Sequence, residues 1–188
     1  MRPATIMLPP GDMEAIGIIE FVHGMCEHRN RYNHVLKYFS DKGFICAIAD
    51  IKGHGENVLT PDDYGYFGED GYKGLIQDID DYTTFLKREY PNLPLILIGH
   101  SMGSLLVRGY IKKHSEKIDA LVVCGSPSEN SFTELGKILI RVMEVFVGNR
   151  YRSPFISRML NGPFEKPFKK DGIKNRLVMQ WPLWGWQI

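Results

Sequence analysis

The pentapeptide Gly99-His100-Ser101-Met102-Gly103 constrains this chain more than any other feature. An apolar run, Leu95-Ile96-Leu97-Ile98, precedes it, and an apolar helical stripe of Leu105, Leu106, Tyr110 and Ile111 follows. G-x-S-x-G alone is common. Between a strand and a helix it specifies a sharp turn that projects the serine hydroxyl from the end of a sheet. Glycines flank the serine because side chains there would collide in so tight a turn. The amide after the serine opens the helix, where unpaired N–H groups and the helix dipole favour negative charge. Ser101 is therefore the candidate nucleophile, and the Met102 N–H one candidate oxyanion donor.

The rest of the chain fits a sheet that could carry such a turn. Ala15 to Val22 is a β-branched apolar run ending at His23-Gly24. Tyr32, Val35, Leu36 and Phe39 fall on one helix face, and Gly43 stops that helix before a second run, Phe44 to Ala49. A Gly-, Asp- and Pro-rich loop leads to the stripe Tyr72, Leu75, Ile76, Ile79, Tyr82, Leu86, which ends before Pro91. Ile118 to Cys124 reads as a further strand, and Thr5 to Leu8 as a weakly signalled one. Continuous apolar strands separated by single amphipathic helices predict an α/β fold, a mostly parallel sheet with helices on both faces.

In such a sheet His23-Gly24-Met25 lies at the same end as the elbow. Gly24 lets the backbone approach a substrate oxygen, and the Met25 N–H is the second candidate oxyanion donor. His23 precedes the elbow in chain order and reads as a loop-fixing residue, not a base. The substrate surface is expected to include Gly24 and His100, the latter belonging to the elbow but pointing away from Ser101.

Beyond Pro127 the pattern changes. Ser131-Phe132-Thr133-Glu134 forms a capping box, and Phe132, Leu135, Leu139, Val142, Met143 and Phe146 continue an unusually wide apolar helix face. It reads either as a helix buried between layers or as a lid that sets Leu139 and Met143 against an apolar substrate. Residues 50–90 carry ten acidic and four basic side chains, residues 137–176 three and ten. The basic segment fits either peripheral contact with an anionic lipid surface or an ordinary solvated face.

His23-Gly24-Met25-Cys26-Glu27-His28 through Arg31-Tyr32, then Asp50-Ile51-Lys52-Gly53-His54-Gly55, then the Ser101 elbow, resemble the α/β-hydrolases of the monoacylglycerol lipase, lysophospholipase and serine aminopeptidase-like group. The resemblance covers roughly residues 15–127 and, more loosely, the segment to about 165. It implies an α/β-hydrolase core over 1–127, a helical cap over 128–175, and an atypical tail over 176–188. It implies Ser101 as nucleophile, Met25 and Met102 as oxyanion donors, and Glu27 and Arg31 as buttresses of the oxyanion loop. The implied reaction is cleavage of an acyl-lipid carboxylic ester through an acyl-enzyme, with amide cleavage on the same fold as a variant. Asn57 departs from the small hydroxyl residue often found after the Gly-His-Gly turn and receives no role.

The base and the acid are harder to find. In this fold the order is Ser, then Asp or Glu, then His. His114 is the one histidine after Ser101. It is thirteen residues further on, about 20 Å along a helix axis, and reads as an exposed helix-end residue. Among the later acids, Asp119 opens the next strand and the others fall in or near the cap. All three tryptophans crowd the last eight residues. The expectation is a chain that ends early, by frameshift, gene mis-assignment or fragmentation, with the C-terminal part of the core missing. A native aromatic anchor is the alternative for the tail.

A half-triad predicts only about 10³–10⁴-fold catalysis over water. An inactive remnant or a non-enzymatic lipid-binding or interaction protein is therefore the competing reading. An uncovered edge near Leu121 to Val123 predicts self-association.

Composition closes off other classes. In 188 residues, 44% are hydrophobic and three are cysteines, which excludes disorder and a disulfide scaffold. No apolar run reaches the roughly 18 residues of a membrane span, and no secretory leader is recognisable. A net charge of +1 gives no pull toward nucleic acid. No Cys/His metal spacing or phosphate loop is present, so no cofactor or metal is predicted. Cys26, Cys46 and Cys124 read as reduced, Cys46 in a strand core and the other two near the active end within reach of thiol reagents. The expected compartment is the cytoplasm.

Overall fold

The computed structural model describes residues 3–127. The chain divides into two compact units, Met1–Leu59 with Tyr66–Pro127, and Thr60–Gly65 with Ser128–Ile188. The first holds a five-stranded sheet: β1 (Ala4–Met7), β2 (Gly17–Val22), β3 (Phe44–Ala49), β4 (Leu95–His100) and β5 (Ala120–Cys124). Their spatial order is β1-β3-β2-β4-β5. Four strands run parallel, and β1 joins the β3 edge antiparallel. The mostly parallel sheet expected from the strand–helix alternation is what the chain forms.

Each strand of this sheet is apolar for a reason of layering. Every residue of β2 is buried, because helices cover both faces. Ile19 and Phe21 face one side, where they pack with Cys46, Ile48 and Leu36 of α1 (Asn33–Ser40). Ile18 and Val22 face the other. There they meet Leu75, Ile79 and Leu86 of α2 (Gly71–Glu89) and Leu106, Val107 and Tyr110 of α3 (Met102–His114). Glycine ends α1: Gly43 sits at φ 92°, and its N–H returns to the Ser40 carbonyl.

This winding decides where a ligand can go. From β2 the chain passes through α1 to β3 on one side. From β4 it passes through α3 to β5 on the other face and in the opposite direction. The loops after β2 and β4 therefore diverge at the C-terminal ends of these neighbouring strands, the place where open α/β sheets bind their ligands. His23-Gly24-Met25 and the Ser101 elbow both lie at that end.

Three expectations need adjustment. The last strand begins at Ala120, not Ile118, because Asp119 is occupied as a clamp: its N–H donates to the Leu95 carbonyl and its Oδ2 accepts the Leu95 N–H at 2.7 Å. The weak first strand spans Ala4–Met7 and is the antiparallel member. His114 is not an exposed helix end. Its ring stacks on Tyr110, and its Nδ1 lies 3.3 Å from Asp80 Oδ1. Tertiary contact with α2 covers a position that helix periodicity alone leaves outside.

At the β5 edge, Val122 and Val123 are 44% and 40% exposed. No helix among the described residues is long and apolar enough to cross a membrane. The predicted cap over 128–175, with Leu139 and Met143, and the tail over 176–188 lie outside the described residues.

Candidate active site

Ser101 has φ 52° and ψ −116°, a backbone conformation that non-glycine residues avoid. Strain of this kind persists only where the surroundings over-determine it. Here they do. The Ser101 N–H donates to the Cys124 carbonyl at 2.9 Å, which ties the elbow to the end of β5. The Ser101 carbonyl accepts both the N–H and the hydroxyl of Ser104. The neighbouring glycines are sterically required. A Cβ on Gly103 would run into the Val22 and His23 carbonyls, and one on Gly99 into the Gly103 carbonyl.

The loop after β2 closes on this elbow. A Cβ at Gly24 would sit 3.0 Å from Ser101 Cβ and 2.9 Å from Glu27 Oε2, so only glycine lets the loop approach. Glu27 organises it. One oxygen, Oε2, accepts the Gly24 N–H at 2.7 Å and the Tyr32 hydroxyl at 2.8 Å, and stands 3.0 Å from His100 Nδ1. Burial pushes the Glu27 carboxyl up, but hydrogen bonds from Gly24, His100 and Tyr32 outweigh it and hold the group below its ordinary value. Glu27 is thus an ionised carboxylate. The Gly24 N–H is committed to it. Met25, the next residue in the loop, is 42% exposed, and Met102 begins α3 directly after Ser101.

His23 is fully buried. Its Nε2 accepts the Ile51 N–H at 2.9 Å, so the ring proton is on Nδ1 and is donated to the Gly24 carbonyl at 2.8 Å. Burial lowers its pKa to about 4. A ring with both nitrogens engaged is a peg, as its place in the chain led one to expect. His100 keeps its ring half-exposed and turned toward Glu27. Among the described residues, no imidazole is hydrogen-bonded to the Ser101 hydroxyl.

Some residues that position the site carry little sequence signal. Asp50 is buried, its Oδ1 accepting the Arg29 N–H at 2.7 Å and its Oδ2 the Arg29 guanidinium at 2.6 Å and the Glu56 N–H at 2.9 Å. Arg29 also reaches Glu56 at 2.7 Å. Asn57, left without a role from sequence, donates its side-chain amide to the Asp50 carbonyl. Together these groups lash the loop after β3 to the loop after β2. Only the Asp-x-x-Gly-His-Gly spacing hinted at them. Cys26 is half-buried and its thiol is pushed up to about 11, while buried Cys46 is pushed up to about 12. Burial makes both poor thiolates, so Cys124, which is exposed, is the accessible one of the three.

A strained serine on a strand–turn–helix elbow, facing a glycine loop at the switch point of a mostly parallel sheet, defines an α/β-hydrolase. The chain belongs to the serine aminopeptidase S33 family, whose model matches residues 13–162. It is 28% identical over 138 residues to a monoacylglycerol lipase of Mycolicibacterium smegmatis, covering 71% of this chain and 46% of that protein. A thermostable carboxyl esterase from Bacillus coagulans, solved in complex with glycerol, aligns at 33% identity and a TM-score of 0.65 over 77% of this chain and 45% of that one. A lipase in its open form aligns at a TM-score of 0.81 and 20% identity over 95% of this chain and 60% of that one, which speaks for the fold. The chain spans less than half the length of the curated monoacylglycerol lipase it matches.

Proposed function

We propose that this chain carries the nucleophile and oxyanion hole of a carboxylic-ester hydrolase acting on acyl lipids, monoacylglycerols or lysophospholipids. The observation that supports this best is the left-handed Ser101 held against Gly24. In this reading Ser101 Oγ attacks the ester carbonyl. The carbonyl oxygen becomes an oxyanion between the Met25 and Met102 N–H groups, and the alcohol leaves with a proton. Water then attacks the acyl-serine and releases the acid. The base that accepts the Ser101 proton and the acid that orients it are not among the described residues. Gly24 and His100 border the bound ester. Leu139 and Met143 are assigned to the acyl chain, and the basic cap to contact with a lipid surface.

Fluorophosphonate labelling with release of fatty acid from a monoacylglycerol tests the reading. Both signals are expected to depend on Ser101 and to vanish in Ser101→Ala. Labelling or turnover that survives the substitution would overturn it. The second reading is a non-catalytic lipid-binding or interaction module. It is favoured by the lack of an imidazole on Ser101 Oγ among the described residues. Binding of a non-hydrolysable acyl-glycerol ether without any serine labelling would support that one.

A further inference from the structure

The α2/α3 face of the sheet contains a polar cluster that takes no part in the elbow chemistry. Glu20 lies in the middle of β2, with 1% of its surface exposed. Its strand neighbours on that face are Ile18 and Val22, and its partners across the sheet are Ala47 of β3 and Leu97 of β4. None of these carries a charge. The hydrogen bond it receives is from a neutral group, the Thr83 hydroxyl of α2, at 2.7 Å.

The cations nearby are already engaged. Lys117 Nζ is 2.6 Å from Asp80 Oδ1, where His114 and the Tyr110 hydroxyl of α3 also converge. Lys52 Nζ stands 4.0 Å from Asp78 Oδ2. Arg29 is bonded to Asp50. A cavity of about 30 Å³ beside Glu20 is lined by Asp50, Asp78 and Tyr82, so its wall adds further carboxylates and a phenol. An ionised carboxylate removed from water needs a cation or several donors, and one hydroxyl is not enough.

We infer that Glu20 is held as a neutral carboxylic acid in the folded core and forms an alkaline-sensitive latch between β2 and α2, beneath the loop that β2 delivers to Ser101. Burial pushes the Glu20 carboxyl from 4.5 up to about 8; the Thr83 hydrogen bond opposes this and Asp80 adds to it. The fold thus binds a proton that the unfolded chain has lost. The stabilisation is complete below about pH 4.5 and disappears as pH rises to about 8. His23, lowered to about 4, has the opposite sign and gains stability up to its ordinary 6.5, as does buried His54. Both histidines act equally in a Glu20 variant, so the difference between the two proteins from pH 6.5 to 8 isolates Glu20.

The test is urea denaturation of the 188-residue chain and of Glu20→Gln across that interval, with ¹³C NMR titration of carboxyl-labelled glutamate in the unsubstituted chain. The folded-to-unfolded ratio of the unsubstituted chain is expected to fall about fifteenfold relative to that of Glu20→Gln from pH 6.5 to 8. One glutamate carboxyl is expected to titrate near 8. Equal slopes in the two proteins, or glutamate signals that all titrate below pH 6, would overturn the inference. The NMR arm decides it even where Glu20→Gln does not fold.

Discussion

Glu20 and Glu27 are the same residue type seven positions apart, one in β2 and one in the loop that β2 becomes. Their fates are opposite. Glu27 gathers a backbone N–H, a phenol and an imidazole around one oxygen and is held ionised. Glu20 meets one hydroxyl and is pushed up to about 8. Burial acts in the same direction on both, and the number of donors decides the outcome. At the open end of the sheet a carboxylate can organise the loop that faces Ser101. Within β2, two residues before its end, the same group is tolerated only as an acid.

Charge reversal at Glu20 and truncation at Glu27 separate the two regions most sharply. Glu20→Lys puts an unpartnered cation in the core and should destabilise the chain by about 4 kcal/mol or more, seen as loss of the cooperative urea transition. Glu27→Ala should cost about 3 kcal/mol at pH 7, because the Gly24 N–H and the Tyr32 hydroxyl lose their acceptor. It should also slow fluorophosphonate labelling of Ser101, and unchanged labelling would mean the loop holds its shape without Glu27.

The milder amide substitutions probe charge alone. Glu27→Gln should cost about 1–2 kcal/mol at pH 7, whereas Glu20→Gln at pH 8 should cost nothing or stabilise. Acid titration supplies the matching sign. Glu27 is held below its ordinary value, so its contribution is present above pH 4.5 and is lost as pH falls through its folded-state value. Glu27→Gln should remove that part of the acid limb while leaving the alkaline limb of Glu20 intact. A single substitution that flattened both limbs would show the two glutamates to be one coupled system. At the far end of the scale stands Lys37, 68% exposed and paired with Asp41 at 2.8 Å. Lys37→Ala should change stability by less than about 0.5 kcal/mol, as expected of a solvent-screened pair.

Much of the framework was legible in the sequence. Each core strand is a continuous apolar run, each helix a periodic stripe, and the elbow has strand and helix on its two sides. Those signals are local, and burial on both faces writes them into consecutive residues. His114, Asp119 and Asn57 were misread or passed over because their partners are Asp80, Leu95 and Asp50, brought close only by folding. The pairing of Arg29 with Asp50 is illegible for the same reason: the two lie 21 residues apart, and a salt bridge across loops has no periodicity. Glu20, like Asp119, is a charged residue inside an apolar run and does not disturb the strand pattern, yet its neighbours give it a chemistry of its own.

What the sequence determined by itself is the order of strands and helices, the position of the serine elbow, and the glycines that let two loops meet. These depend on residue type, periodicity and steric size, all of which are read along the chain. Tertiary structure alone decided which face each helix covers, which carboxylate takes the Gly24 N–H, and which glutamate keeps its proton. Those outcomes depend on distance from water and on how many donors converge on one atom, quantities that exist only once the sheet has brought distant residues together.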